Sequence, residues 1–172
     1  DWRKEQTSLL MLEVAIHHFD MLRFVSGSNV KSVYAYGWNP EWSDVDGIMS
    51  AFLILEFESG FKACYTTTEK SIGFPTGYQS DWIMQTDKGA VKWENDQPNR
   101  LDMSVDAQAS LCDDFYFPGK DRAGVLHDVR LQLDGKEGTV PSVFDNINSL
   151  AVSFAAIKSM EENRPVLLSE IL

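Results

Sequence analysis

Residues 8–25 read Ser8-Leu9-Leu10-Met11-Leu12-Glu13-Val14-Ala15-Ile16-His17-His18-Phe19-Asp20-Met21-Leu22-Arg23-Phe24-Val25. The run holds neither Pro nor Gly, Thr7 or Ser8 can cap its start, and Gly27 supplies a stop. It therefore predicts a helix over Ser8 to Val25. At about 100° per residue, Met11, Val14, Ala15, Met21, Leu22 and Val25 share one broad face, and Leu12, Ile16 and Phe19 lie beside it. A helix apolar around most of its circumference is expected to be largely buried. One narrow polar stripe remains, formed by Glu13, His17 and Asp20 at i, i+4 and i+7, within an arc of roughly 60°.

Outward from this helix the period changes to two. Val30 to Trp38, Ile48 to Phe57 and Phe61 to Lys70 read as strands, with Ser59-Gly60 turning the last two into a hairpin. Asp81 to Thr86 and Ala90 to Glu94 form a second hairpin around Asp87-Lys88-Gly89. Residues 95–124 form a long acidic excursion without clear period. Val125 to Leu133 reads as a last strand ending at Asp134-Gly135. Ser142 to Asn163 reads as a second long helix, with Ser142 and Asp145 resembling a capping box. Helix, antiparallel strands and helix make an α+β domain, an open and mostly antiparallel sheet with helices packed on one face. The whole of 1–172 is expected to be one such domain.

Ile48 to Phe57 is apolar on both faces. Met49, Ala51, Leu53, Leu55 and Phe57 point one way, Ile48, Phe52 and Ile54 the other. Helices cover only one face, so a partner subunit packed sheet on sheet, or the rest of a longer chain, is expected on the second.

Composition narrows the function. With 15 Lys and Arg against 26 Asp and Glu, the 172 residues carry a net charge of −11, which argues against nucleic acid or an anionic membrane as partner. No apolar run approaches the ~18 residues that span a bilayer. Two cysteines, Cys64 and Cys112, are too few for a disulfide scaffold and fit a reducing compartment, so the expected location is cytoplasmic. The glycines never occur as Gly-x-Gly, and no Gly-Lys-Ser/Thr follows one, so this chain is expected to bind no nucleotide cofactor. No metal site is expected either, since the polar stripe offers one His, and Asp44 and Asp46 before Gly47 lack the other ligands of a calcium loop.

The stripe itself carries the chemistry. A carboxylate one turn before a His holds the ring in one tautomer and stabilises its cation, which prepares a general base. A third acid on the same line suits a substrate hydroxyl. The same residues would equally serve as a hydrogen-bonded ladder tying the helix to its surroundings, and on residues alone both stay open. His18, nearer the apolar face, reads as a core or cap histidine. His127 receives no role, and Trp42 is the one tryptophan in a polar loop.

Leu12 to Phe24 with the following Gly27 resembles the segment Asp-x-Gly-x-His-x-x-Asp-x-x-Arg…Gly in the second domain of the glucose–fructose oxidoreductase / inositol dehydrogenase (Gfo/Idh/MocA) family. The likeness continues through Asn29 to Ala35, Glu58-Ser59-Gly60, Asp87 to Val91, Ser149-Leu150-Ala151 and Asn163-Arg164-Pro165-Val166. It implies that this chain is most of a C-terminal substrate and oligomerisation domain, without its first strand and without the N-terminal Rossmann domain that binds NAD or NADP. The chain opens on Asp1-Trp2-Arg3, which fits a piece cut from such a protein.

By position in the motif, the resemblance makes His17 the acceptor of the substrate hydroxyl proton and Glu13 its support. Asp20, Trp2, Arg3 and Tyr78 become candidate substrate contacts. Glu13 stands where the family has Asp, and Ala15 where it has Gly. The catalytic Lys of a Glu-Lys-Pro motif belongs to the missing domain, since Glu69-Lys70 is followed here by Ser71. The implied parent is an NAD(P)-dependent oxidoreductase acting on a sugar, polyol or related hydroxy compound, a homo-oligomer through the open sheet face. The rivals are an NAD-dependent glycoside hydrolase of the same fold and a non-catalytic dimerisation or interaction module.

Overall fold

A computed structural model describes residues 8–94, 97–102, 110–111, 122–138 and 140–172. These fall into two compact units, one running up to Ile72 and resuming at Pro141, the other spanning Gly73–Val140.

In the first unit the opening helix forms, but in two pieces. A π-helical turn, Leu10–Ala15, leads into α1, Ile16–Ser26, which ends on Gly27 at φ 60. Widening one turn changes which residues face inward. Leu10, Met11, Ala15, His18, Phe19, Leu22 and Arg23 are buried, while Leu12, Glu13, His17, Phe24 and Val25 are exposed. The helix is thus less buried than a uniform 100° rotation implies: Val25 is exposed and Arg23 is buried.

Strands β1 (Val30–Trp38), β2 (Ser50–Phe57) and β3 (Lys62–Thr68) follow as expected, each within two residues of its anticipated ends. In the second unit, β4 (Trp82–Thr86) and β5 (Gly89–Glu94) form the anticipated hairpin, with Thr86 opposite Gly89. β6 (Gln97–Asp102) and β7 (Ser110–Leu111) extend that sheet in the order β4-β5-β6-β7. Part of the irregular excursion is therefore strand, and the remainder of 95–121 lies outside the described residues.

The expected strand over Val125 to Leu133 is instead a helix, α2, Arg122–Leu133. Leu, Arg and Gln favour helix, and no Pro or Gly interrupts Val125 to Leu133. Asp134-Gly135 is its C-cap rather than a strand end. Gly135 sits at φ 73, its amide donates to the Gln132 carbonyl, and the Lys136 amide reaches back to Leu131, both at about 3 Å. That is a Schellman closure. Asp128 is buried in the middle of α2, where it accepts from the Val140 amide at 2.5 Å.

The chain returns to the first unit as α3, Val143–Glu162, started by the Ser142 hydroxyl accepting from the Asp145 amide and ended by Asn163 at φ 50. β8 (Val166–Leu167) and a 3₁₀ turn, Leu168–Glu170, close the chain. Arg164 donates to Glu170 at 2.7 Å and holds that carboxyl well below the usual range.

The first unit's sheet runs β3-β2-β1-β8, antiparallel throughout. Its inner face carries Val33, Ala35, Ala51, Leu53, Leu55, Phe57 and Tyr65, all buried, with the helical layer that contributes Met11, Phe19, Val152, Ala155 and Ala156 to the same core. α3 runs close over β1. A Cβ on Gly37 would meet Met160 Sδ and sit 2.7 Å from Ile48 Cγ2, so only glycine fits there without repacking. The opposite face presents Tyr36, Phe52 and Ile54 at 59%, 53% and 55% exposure, with Trp38 stacked obliquely on Phe52 at 5.0 Å. No helix among the described residues is long and apolar enough to cross a membrane.

Candidate functional site

Glu13 and His17 both lie on the exposed side of the opening helix, four residues apart, the first inside the π turn and the second in the first turn of α1. Turns of this width are rare and recur at functional sites. An exposed imidazole with a carboxylate one turn before it can take up a proton from a ligand and have the resulting charge stabilised.

The third member of the stripe is turned elsewhere. Asp20 accepts from the Ser149 hydroxyl of α3 at 2.7 Å and lies 3.4 Å from the Arg23 guanidinium. Arg23, buried, is fully engaged. Its Nε donates to Asn29 Oδ1 at 3.0 Å, its Nη1 to Ser149 Oγ at 2.7 Å, and its Nη2 to Asp145 Oδ1 at 2.8 Å. The guanidinium holds the Asp145 carboxyl below its ordinary value by hydrogen bonding, an effect larger than the opposing loss of water. The stripe is therefore divided between an exposed Glu13/His17 pair and an Asp20 tied into the joint between α1 and α3. The likeness between Asp20 and a hydroxyl-binding acid is one of sequence position, while its bonds are those of a helix clasp.

His18 is a satisfied core histidine. It is buried and its Nδ1 lies 2.6 Å from Tyr65 Oη on β3. Burial pushes the Tyr65 phenol up to about 12, so it remains an O–H donor through the neutral range. Phe19 packs edge-on against the same ring at 5.6 Å. The Tyr65, Ser149, Ser153 and Asp145 contacts were not readable as site features. The one available signal was a pair of serines four apart, Ser149 and Ser153, on the otherwise apolar stripe of α3.

Tyr78 belongs to the second unit, where it is exposed in the loop ahead of β4. Trp2 and Arg3 lie outside the described residues. Trp42 donates its indole N–H to the Lys70 carbonyl at 2.9 Å, a loop-to-loop tie. His127 is carried on α2. Among the described residues, no three His, Cys, Asp or Glu side chains gather where they could hold a metal ion. Nor do the described residues fit a dinucleotide. All their strand pairs are antiparallel, so the parallel strand–turn–helix unit that presents a helix N-terminus to a pyrophosphate is not among them.

Comparison with known proteins decides the family. A family model described as the GFO/IDH/MocA C-terminal domain matches residues 1–92, more than half of the chain. The chain belongs to this family. Among GFO/IDH/MocA relatives, the myo-inositol 2-dehydrogenase of Thermotoga maritima is 26% identical over 171 residues, which cover 95% of this chain and 50% of that protein. Protein y4oX of Sinorhizobium fredii is 26% identical over 185 residues, covering 99% of this chain and 50% of its own length. The solved oxidoreductase of Agrobacterium radiobacter, in complex with NAD+, L-tartaric acid and magnesium, matches at a TM-score of 0.80 and 17% identity, over 99% of this chain and 52% of that one. That likeness shows the α+β fold. The chain spans about half the length of the curated relatives it matches.

Proposed function

We propose that this GFO/IDH/MocA C-terminal domain forms the substrate side of an NAD(P)-dependent oxidoreductase that acts on a sugar, polyol or related hydroxy compound. In this reading His17 is the general base and Glu13 orients it. The substrate O–H proton passes to a ring nitrogen of His17, Glu13 stabilises the imidazolium that forms, and the carbon–oxygen bond becomes a carbonyl. A Rossmann domain of the intact protein would hold the nicotinamide, the hydride acceptor that balances this oxidation. The dinucleotide would supply the electron sink, and the residues described here supply the proton acceptor and its orientation.

One observation carries the proposal. His17 and Glu13 are exposed together at a π turn, while Ala15 between them and His18 and Phe19 just after them are buried. The name of the Thermotoga maritima relative, a myo-inositol 2-dehydrogenase, supports a cyclic polyol as the substrate class. The test is His17→Asn in the full-length protein, assayed with NAD and NADP against a panel of polyols headed by myo-inositol. General-base removal is expected to lower kcat on the order of 10²–10⁴-fold. Unchanged turnover would end the assignment.

The exposed face of the first unit's sheet supports a second copy of the chain as its cover. Tyr34, Tyr36, Trp38, Phe52 and Ile54 form a contiguous apolar surface on β1 and β2, and such surfaces mark association sites.

A further inference from the structure

The α3 helix holds the His17-bearing helix at two points, one on each side of His17. Before it, the buried Ser153 hydroxyl donates to the Met11 carbonyl within the π turn at 2.8 Å. After it, the buried Ser149 hydroxyl donates to Asp20 Oδ1 at 2.7 Å while accepting from Arg23 Nη1 at 2.7 Å. Ser149 and Ser153 are four apart on α3, so the two anchors lie one turn from each other on a single face.

A hydroxyl bonds a helix carbonyl or a carboxylate only within a narrow range of distance and a limited range of angle. Two such bonds, placed six residues before and three after His17, set both the rotation of the first turn of α1 and the opening of the π turn that carries Glu13. An apolar contact at either point would constrain that rotation by packing shape alone, without a directional bond to a particular backbone or side-chain oxygen. Arg23 and Asp145 keep the second anchor in place, since Arg23 bonds Ser149 and Asp145 together.

We propose that Ser149 and Ser153 are positioning residues for His17. They act through the helix rather than on the substrate, and the proposal rests on His17 being the general base. Alanine at either position removes the hydroxyl and leaves its partner on the neighbouring helix without that bond. Misplacing a base by a fraction of an ångström to an ångström costs catalysis up to on the order of 100-fold.

A control lies on the same helix. Ser159 is equally buried, accepts from the Ala35 amide at 2.9 Å and donates to the Arg164 carbonyl, and it fastens β1 rather than α1. Full-length Ser149→Ala, Ser153→Ala and Ser159→Ala would be compared for melting temperature, kcat, substrate KM and the pH profile of kcat. All three are expected to melt lower by similar amounts. Ser149→Ala and Ser153→Ala are expected to lose kcat on the order of tenfold or more beyond Ser159→Ala, with KM within about twofold and a displaced acid limb of the pH profile.

Should either alanine variant fail to fold, the cysteine variant at that site fills the volume while weakening the bond, and the same comparison applies. A kcat for the two that tracks Ser159→Ala overturns the proposal while leaving the base in place, provided His17→Asn is inactive. If His17→Asn retains turnover, or no polyol of the panel is turned over, the base assignment fails and this inference falls with it.

Discussion

The two faces of the first unit's sheet are built from the same strands and both carry apolar residues, yet they meet different surroundings. On the inner face Val33, Ala35, Leu53 and Leu55 are shut away under α1 and α3. On the outer face, one residue along in each case, Tyr34, Tyr36, Phe52 and Ile54 stand open. Period-two alternation separates the faces, and hydrophobicity alone does not say which face the chain itself covers. Small and branched residues on the inner side, with Gly37 where α3 comes closest, suit a helix layer. Large aromatic residues on the outer side suit a second flat surface.

Truncating the inner face should do the greatest damage. Leu55→Ala removes buried methyl groups beneath the helices and is expected to cost about 2–5 kcal/mol, read from chemical denaturation of the full-length protein. A loss under about 1 kcal/mol would mean that the inner core is looser than its packing implies.

The clasp between the helices should respond to acid next. Arg23 depresses the native pKa of Asp145, so the carboxylate adds stability above its unfolded value of about 4. That stability is lost as the pH falls through the depressed native value. Asp145→Asn should therefore melt below the parent at neutral pH, and the gap should close on acidification. A gap that stays constant down to pH 2 would place the stabilisation elsewhere.

The outer face should matter least to the fold of one protomer and most to association. Phe52→Lys is expected to change protomer stability by about 0.5 kcal/mol or less, as surface substitutions do. In sedimentation at micromolar concentration it should convert an assembled parent into a smaller species. A parent already monomeric there would remove the second copy from consideration.

Much of this arrangement was legible in order along the chain. Val30 to Trp38 and its two partner strands declared themselves by alternation, the Ser142 cap marked the start of α3, and the doubly apolar β2 announced an open face. Asp134-Gly135 misled because the same dipeptide closes a hairpin or a helix, and here the helix-favouring residues before it decide for the helix. The site divided in the same way. Glu13 and His17 were visible as a pair from their spacing, but Asp20 shared that spacing and proved to be bonded to Ser149, 129 residues away.

The sequence by itself determined the α+β class, the alternation that makes two unlike sheet faces, and the pairing of a carboxylate with a histidine one turn apart. These follow from period and residue type, which are local. Only the tertiary structure decided that a π turn re-aims the opening helix, that Arg23 lies buried against Asp145 and Ser149, and that His18 is bound to Tyr65 while His17 remains exposed. Those outcomes depend on contacts between distant residues, where helix rotation is set by whatever hydroxyls and carboxylates the neighbouring helix and strand present.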